Sequence, residues 1–349
     1  MLPSHSTSPL ISVIIPAYNA ATTVGGAISG VLTQTHSPIE LLVVDDGSSD
    51  DTARIVEAYG SRLRLIRQVN GGVAAARNTA LRQASGQFIA WLDADDLILP
   101  RHLERALARW TAEAERSGDR RVIVTCDAWR FGPQGVSKSR ILPRRLPSHR
   151  KQRWQILQSN FSGIFSFYPR DLHENLGLLD EKFRRGEDRE LWSRALFNGW
   201  RIAAQPVPTG LYRHSEHNLS SNVAAMAEAE MAVLRTIRAQ FADRLSMRER
   251  DYLDCRLRSP VPRQLIRAGD DAVRAGLWTE AQAHLSEAAT LLPDDRLLRI
   301  RATMTRRKLT RLLLARRLKR TDDRVGPPPG GWSAKTEPGI SGADIERNR

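Results

Sequence analysis

The sequence predicts an α/β fold: a largely parallel mixed sheet covered by helices on both faces, followed by a helical C-terminal region. Three observations carry that prediction. Continuous apolar runs alternate with helical stretches through the first half of the chain, each run ends in a polar cluster, and strand formers become sparse after Val223. Continuous apolar strands separated by helices mark a parallel sheet buried on both faces. In such sheets ligands bind outside the carboxyl ends of the strands, so the polar clusters are expected to meet in one crevice.

Each element has its own reason. Leu10 to Pro16 is a β-branched run, and Val24 to Leu32 reads as the helix after it. Ile39 to Val44 is the second strand, stopping at Asp45-Asp46-Gly47-Ser48, with a helix from about Thr52 to Tyr59. Leu63 to Ile66 gives a short third strand. Val73 to Ala84 reads as helix and stops near Gly86, a residue that weakens helices. Phe88 to Leu92 is the next strand and Pro100 to Glu115 the next helix, with Val122 to Ala128 a further strand. The chain is then irregular and basic through Arg153, and Phe161 to about Asn222 is rich in aromatic and charged residues. The expected domains are a flexible start (1–9), a catalytic α/β domain (10–222), a helical appendage (223–305), and a basic amphipathic helix with a disordered tail (306–349).

With 41% hydrophobic and 26% charged residues, the 349-residue chain has the composition of a soluble globular protein. Its two cysteines, Cys126 and Cys255, lie too far apart in sequence to suggest a disulfide framework or thiolate zinc site. The polar start argues against a signal peptide, and no run approaches the roughly 20 apolar residues of a spanning helix. A cytoplasmic location is expected. A net charge of +14 calls for an anionic partner or surface. Nucleic acid is the weaker choice, because no aromatic-rich binding motif gathers the basic residues.

Trp91-Leu92-Asp93-Ala94-Asp95-Asp96 places three carboxylates at the end of an apolar strand. Like charges that close repel, so a cation is normally held between them. Mg²⁺ and Mn²⁺ favour carboxylate oxygens. Asp is also a good helix N-cap, the alternative reading of such a cluster. Asp45-Asp46-Gly47-Ser48 is a turn whose carboxylate can accept an N–H, either from local backbone or from a ligand base. Asn70-Gly71-Gly72 opens a helix carrying Arg77, where glycines permit close ligand approach and the guanidinium can meet a diphosphate. Glu187-Asp188 offers adjacent carboxylates that point in different directions, so only one should face a given substrate.

Together, Pro16-Ala17-Tyr18-Asn19-Ala20, Val43 to Thr52, Asn70-Gly71-Gly72 with Ala75-Ala76-Arg77-Asn78, and Trp91 to Asp96 resemble family 2 inverting glycosyltransferases of the GT-A type. The resemblance continues through Gly186 to Trp192 and Tyr212-Arg213-His214, covering about Leu10 to Asn222. It implies a nucleotide-sugar donor, with UDP the expected nucleotide. Asp46 would contact the base, flanked by Pro16, Ala17 and Tyr18, with Asn70 and Arg77 completing the donor site. It also implies a divalent metal, Mn²⁺ or Mg²⁺, ligated by Asp95. Asp93 would lie nearer the ribose or a metal-bound water, and His214 could approach the diphosphate or metal. Asp96 could instead cap the following helix. Asp188 is expected as the base that deprotonates the acceptor hydroxyl, with Glu187 as its partner and no covalent intermediate. The acceptor would be a cell-envelope polysaccharide or a lipid-linked glycan precursor.

In the C-terminal half, Gly269, Ala281, Leu285, Ala288 and Pro293 match the spacing of small and apolar positions in a tetratricopeptide repeat, which suggests protein docking. From Arg306 to Arg320 there is no acid, and Leu309, Leu312, Leu313 and Leu318 are interleaved with Arg and Lys. A basic amphipathic helix of this kind can lie peripherally on anionic lipid. Two rival functions are a non-catalytic scaffold and a nucleic-acid-binding protein that uses this basic helical region.

Overall fold

A computed structural model describes residues 8–133, 135–143, 145–163, 165–213, 223–258, 262–292, 295–306 and 310–315. The chain separates into two compact units, dividing after residue 215. The first is a mixed α/β layer structure and the second is helical.

In the first unit, β1 (Ile11–Ala17) lies between β2 (Ile39–Asp45) and β4 (Phe88–Trp91), parallel to both. β3 (Arg64–Arg67) extends the parallel half beyond β2. The register sets Ala17 against Asp45 and Ile14 against Trp91, so the strands deliver Tyr18, Asp46 and Asp93 to one edge of the sheet. Beyond β4 the sheet turns mixed. β8 (Ser166–Pro169) runs antiparallel to both β4 and β6 (Val122–Gly132). β9 (Arg201–Arg213) is parallel to β6. The two-residue β5 (Leu97–Ile98) closes the far edge against β9, and β7 (Gly135–Arg140) pairs with β6 off the main strand order.

Alternate residues of each central strand face opposite sides, as a two-residue repeat requires. Ile11, Val13 and Ile15 pack with Ile28 and Val31 of α1 (Val24–Leu32) and with Leu103, Ala106 and Trp110 of α4 (His102–Ser117). Ile14, Leu42, Val44, Ile89 and Trp91 pack with α3 (Val73–Leu81) and α7 (Glu187–Phe197) on the other face. The inner surface of α3 is Ala74, Ala76 and Ala80, small enough for the helix to sit close to the sheet. That closeness brings its next inward side chain, Arg77, into the protein interior.

The described part of the second unit consists of helices: α8 (Val223–Gln240), α9 (Met247–Arg258), α10 (Pro262–Ala275), α11 (Trp278–Leu291), α12 (Arg296–Met304) and a short turn of helix over 310–315. Ala281, Leu285 and Ala288 are fully buried. A Cβ placed on Gly269 would come within 2.6 Å of Leu285 Cγ, so α10 and α11 approach closely there. Leu312 and Leu313 are exposed while Leu314 is buried. Pro293, Leu309 and Leu318 lie outside the described residues. Among the described residues no helix is long and apolar enough to cross a membrane.

Candidate active site

The edge formed by β1 and β2 holds the first group of expected residues. The Asp46 N–H donates to Ala17 O at 2.8 Å, fixing the turn. Its buried carboxylate accepts from Gln68 Nε2 at 2.7 Å and from the Gly71 and Gly72 N–H groups at 2.8 Å each. Asp46 thus shapes the loop that opens α3. Gly47 must be glycine, because φ is +75° and a Cβ would lie 2.9 Å from Asn70 N. Pro16 and Ala17 end β1, and the Tyr18 ring projects into solvent beyond them, 54% exposed. Asn70 is exposed on the facing loop, with Arg184 beside it at 3.4 Å.

Arg77 has two carboxylate partners that the sequence reading did not pair with it. Its guanidinium is buried, with Nη1 donating to Glu187 at 2.7 Å and Nη2 to Asp93 at 2.8 Å. It also lies over the Trp91 ring, 4.3 Å from the centroid, and Trp91 in turn packs against Trp192 of α7. The guanidinium expected to reach a diphosphate bonds two carboxylates here. The physical reason is local: with alanines around it, α3 sits too close to the sheet for its inward arginine to escape to solvent.

At the end of β4, carboxylate oxygens of Asp93, Asp95 and Asp96 lie within 4.8 Å of one another. Burial and the Asp93 charge push the Asp95 carboxyl up to about 6. Burial, with Asp95 and Asp93 adding to it, raises Asp96 further above the usual range. Asp96 Oδ1 accepts the Arg213 N–H at 2.7 Å, and its buried Oδ2 has no hydrogen-bond partner. Closely set oxygen donors that resist ionisation without a counter-charge fit a hard divalent cation. Asp96 does not cap a helix. α4 begins only at His102, where no side-chain cap is made, and Asp96 is turned toward β9 instead. His214, expected near this cluster, lies outside the described residues.

The acid pair opens α7. Gly186, with φ +73°, turns the chain so that Glu187 and Asp188 fall in the first helical turn. Glu187 is buried against Arg77, whereas Asp188 is only half-buried. Asp188 Oδ2 accepts from Asn160 Nδ2 at 2.8 Å, and Oδ1 accepts the Arg189 N–H at 2.6 Å. Burial raises both carboxyls above their ordinary values. The nearby Arg77 opposes that rise in each, and the two bonds to Asp188 do so as well.

A chain of contacts therefore joins the separated motifs: Asp46 to the loop before α3, then Arg77 to Asp93 and to Glu187. Three contributors were not anticipated. Asn160, holding Asp188, comes from a stretch without recognisable pattern. Arg184 lies across Gly72, 3.3 Å from where a Cβ would stand. Arg213 donates through its backbone to Asp96 and through Nε to Asp95 O at 2.7 Å, and lies 4.4 Å over the Phe131 ring. Of the three, only Arg213 had a signal, its place beside Tyr212 and His214.

The family described as glycosyl transferase family 2 matches residues 12–177. The chain is 32% identical over 244 residues to the succinoglycan biosynthesis protein ExoO of Rhizobium meliloti, covering 67% of this chain and 70% of that protein. It spans 58–63% of the length of several other curated relatives. Staphylococcus aureus TarS 1-349, solved in complex with UDP-GlcNAc, shares the fold with a TM-score of 0.55 at 19% identity, covering 89% of this chain and 91% of TarS 1-349. The mannosyltransferase PcManGT of Pyrobaculum calidifontis, solved with GDP-Man and Mn²⁺, has the same score and identity, covering 91% of this chain and 89% of PcManGT. Likeness at that identity establishes the GT-A fold.

Proposed function

Because the chain belongs to glycosyl transferase family 2, we propose that it is an inverting, metal-assisted transferase. It moves a sugar from a nucleotide-sugar donor to a hydroxyl of a cell-envelope polysaccharide or a glycolipid precursor. The observation that carries this reading is the Arg77 bridge, which ties the Asp93 end of β4 to the acid pair of α7. Donor-side acids and a candidate base thereby share one rim.

The residues divide the work as follows. Asp46 uses three of roughly four carboxylate lone-pair positions on Gln68, Gly71 and Gly72, leaving one on Oδ2 for a base N–H. Pro16, Ala17 and Tyr18 flank the base, and Asn70 faces them across the turn. UDP is our first assignment, although uracil and guanine both carry an N–H that Asp46 could accept. Asp95, with Asp93 and Asp96 beside it, would hold the divalent cation, which supplies positive charge against the departing nucleoside diphosphate. His214 is a further candidate at that position.

Asp188 is the base. It is the more accessible of the pair, and its raised carboxyl is suited to taking a proton. As the acceptor oxygen bonds to the anomeric carbon, its proton passes to Asp188 and the bond to the diphosphate oxygen breaks on the opposite face. Asn160 aims the carboxylate, and Glu187 holds the helix start against Arg77. ExoO is named for succinoglycan biosynthesis, which supports a glycan acceptor.

A thermal-shift panel of nucleotide sugars, with and without Mn²⁺, tests the reading. A ligand that binds only the folded protein stabilises it by RT ln(1 + [L]/Kd). The expected result is a donor whose shift needs Mn²⁺ and disappears in Asp95→Asn. Equal shifts in both proteins would remove the metal assignment, and no response to any donor would remove the transferase reading.

A further inference from the structure

Far from the acid cluster in sequence, 25 residues from Arg296 to Arg320 contain eleven Lys and Arg and no acid. The structure shows how the first part of this stretch is presented. α12 turns Leu298 and Ala302 into the core of the helical unit, and Leu314 is buried in the same cluster. Large apolar side chains of both segments are exposed as well: Leu297 61% and Ile300 52% on α12, and Leu312 69% and Leu313 59% on residues 310–315. Arg296 and Arg299 stand exposed on the same outward side of α12, beside an open groove of about 540 Å³.

A helix that only needed to close the core would not place large apolar side chains on its wet face as well. Water disfavours them, and the arginines between them do not cover them. The occupant must satisfy both kinds of side chain at once. A nucleic acid would take the arginines and leave the leucines in water. An anionic bilayer takes both, with lipid phosphates meeting the guanidiniums and the acyl boundary receiving Leu297, Ile300, Leu312 and Leu313. We propose that the outward face of α12 and residues 310–315 is a docking surface for an anionic membrane, seating the chain peripherally on lipid. This assignment stands on the helical unit alone and is independent of the sugar-transfer reading.

Co-sedimentation of the full chain with lipid vesicles tests it. Binding is expected to vesicles of phosphatidylcholine mixed with phosphatidylglycerol, and to be lost with phosphatidylcholine alone. Each arginine near the surface is worth about fivefold in affinity. Arg296→Gln with Arg299→Gln should therefore weaken binding about 25-fold, and added salt should weaken it further. Leu297→Ser with Ile300→Ser, and separately Leu312→Ser with Leu313→Ser, should each reduce vesicle binding at unchanged net charge. All these side chains are exposed, and unchanged circular dichroism would confirm that the variants fold. Equal binding to both vesicle types would overturn the proposal. So would insensitivity to both serine pairs, or preferential capture of a random-sequence oligonucleotide that the serine variants retain, which would mark a surface for polyanions.

Discussion

Replacing Arg77 with Met should destabilise the α/β unit strongly, for a reason that can be worked through from the contacts. The guanidinium is buried and compensates Asp93 and Glu187, at 2.8 and 2.7 Å. Met keeps an unbranched apolar side chain at the site but removes the guanidinium from over Trp91 and leaves both carboxylates without their cation. Removing one partner of a buried ion pair costs about 3–5 kcal/mol. For a unit of this size each kcal/mol lowers Tm by about 2–4 °C. A fall of roughly 10 °C is therefore expected in differential scanning calorimetry. The cause is uncompensated charge rather than lost volume, so a cycle of variants separates the two. In an Asp93→Asn, Glu187→Gln background, Arg77→Met should cost less than about half as much, because no charge is then stranded. Arg77→Lys should fall between, since one ammonium lacks the fork that reaches both acids. A loss below about 1 kcal/mol in the wild-type background, or the same loss in both backgrounds, would refute the reasoning.

Three further outcomes follow from particular side chains. Burial holds the His102 imidazole down at about 4, so the folded protein keeps it neutral while the unfolded chain protonates near 6.5. Stability from this group is present at neutral pH and lost as pH falls from 6.5 toward 4. The urea-unfolding advantage of wild type over His102→Asn should therefore shrink by about 2 kcal/mol between pH 7.5 and 5. An unchanged difference would contradict it. Gly72 has φ +89° and ψ 169°, a region only glycine readily enters, and Arg184 packed against it, so Gly72→Ala should cost roughly 1–3 kcal/mol and loosen the bonds to Asp46. Donor affinity and Tm would both report this. Asn160→Ala removes a bond that favours ionised Asp188, so the acid limb of the kcat/KM profile should move to higher pH. A limb that stays in place would mean that Asn160 does not act on the base.

How much of this was legible in the sequence depends on distance along the chain. β1, β2 and β4 were readable because each is an apolar run ending in a polar turn, and α1 was read with the bounds it has. The acids at those ends were legible for the same reason. β5 and β8, two and four residues long, leave no periodic trace. β9 carries Pro206 and Pro208, which break a strand pattern, and β6 shifts register between Cys126 and Ala128 where they lie. Arg77 was found, but its bond to Glu187, which spans 110 residues, was not. Only the closeness of α3 to the sheet decides that contact. Asp96 was read partly as a cap because Asp before a helix has that meaning locally. Its true partner, the Arg213 N–H, lies 117 residues on.

The most direct measurement is single-turnover sugar transfer by Asp188→Asn, with donor binding followed in parallel. The account predicts a rate lower by about 10²–10⁴-fold with the Mn²⁺-dependent donor shift retained, since the amide keeps the side chain's shape but cannot take the proton. Transfer at the wild-type rate, in a variant that still binds donor, would contradict it.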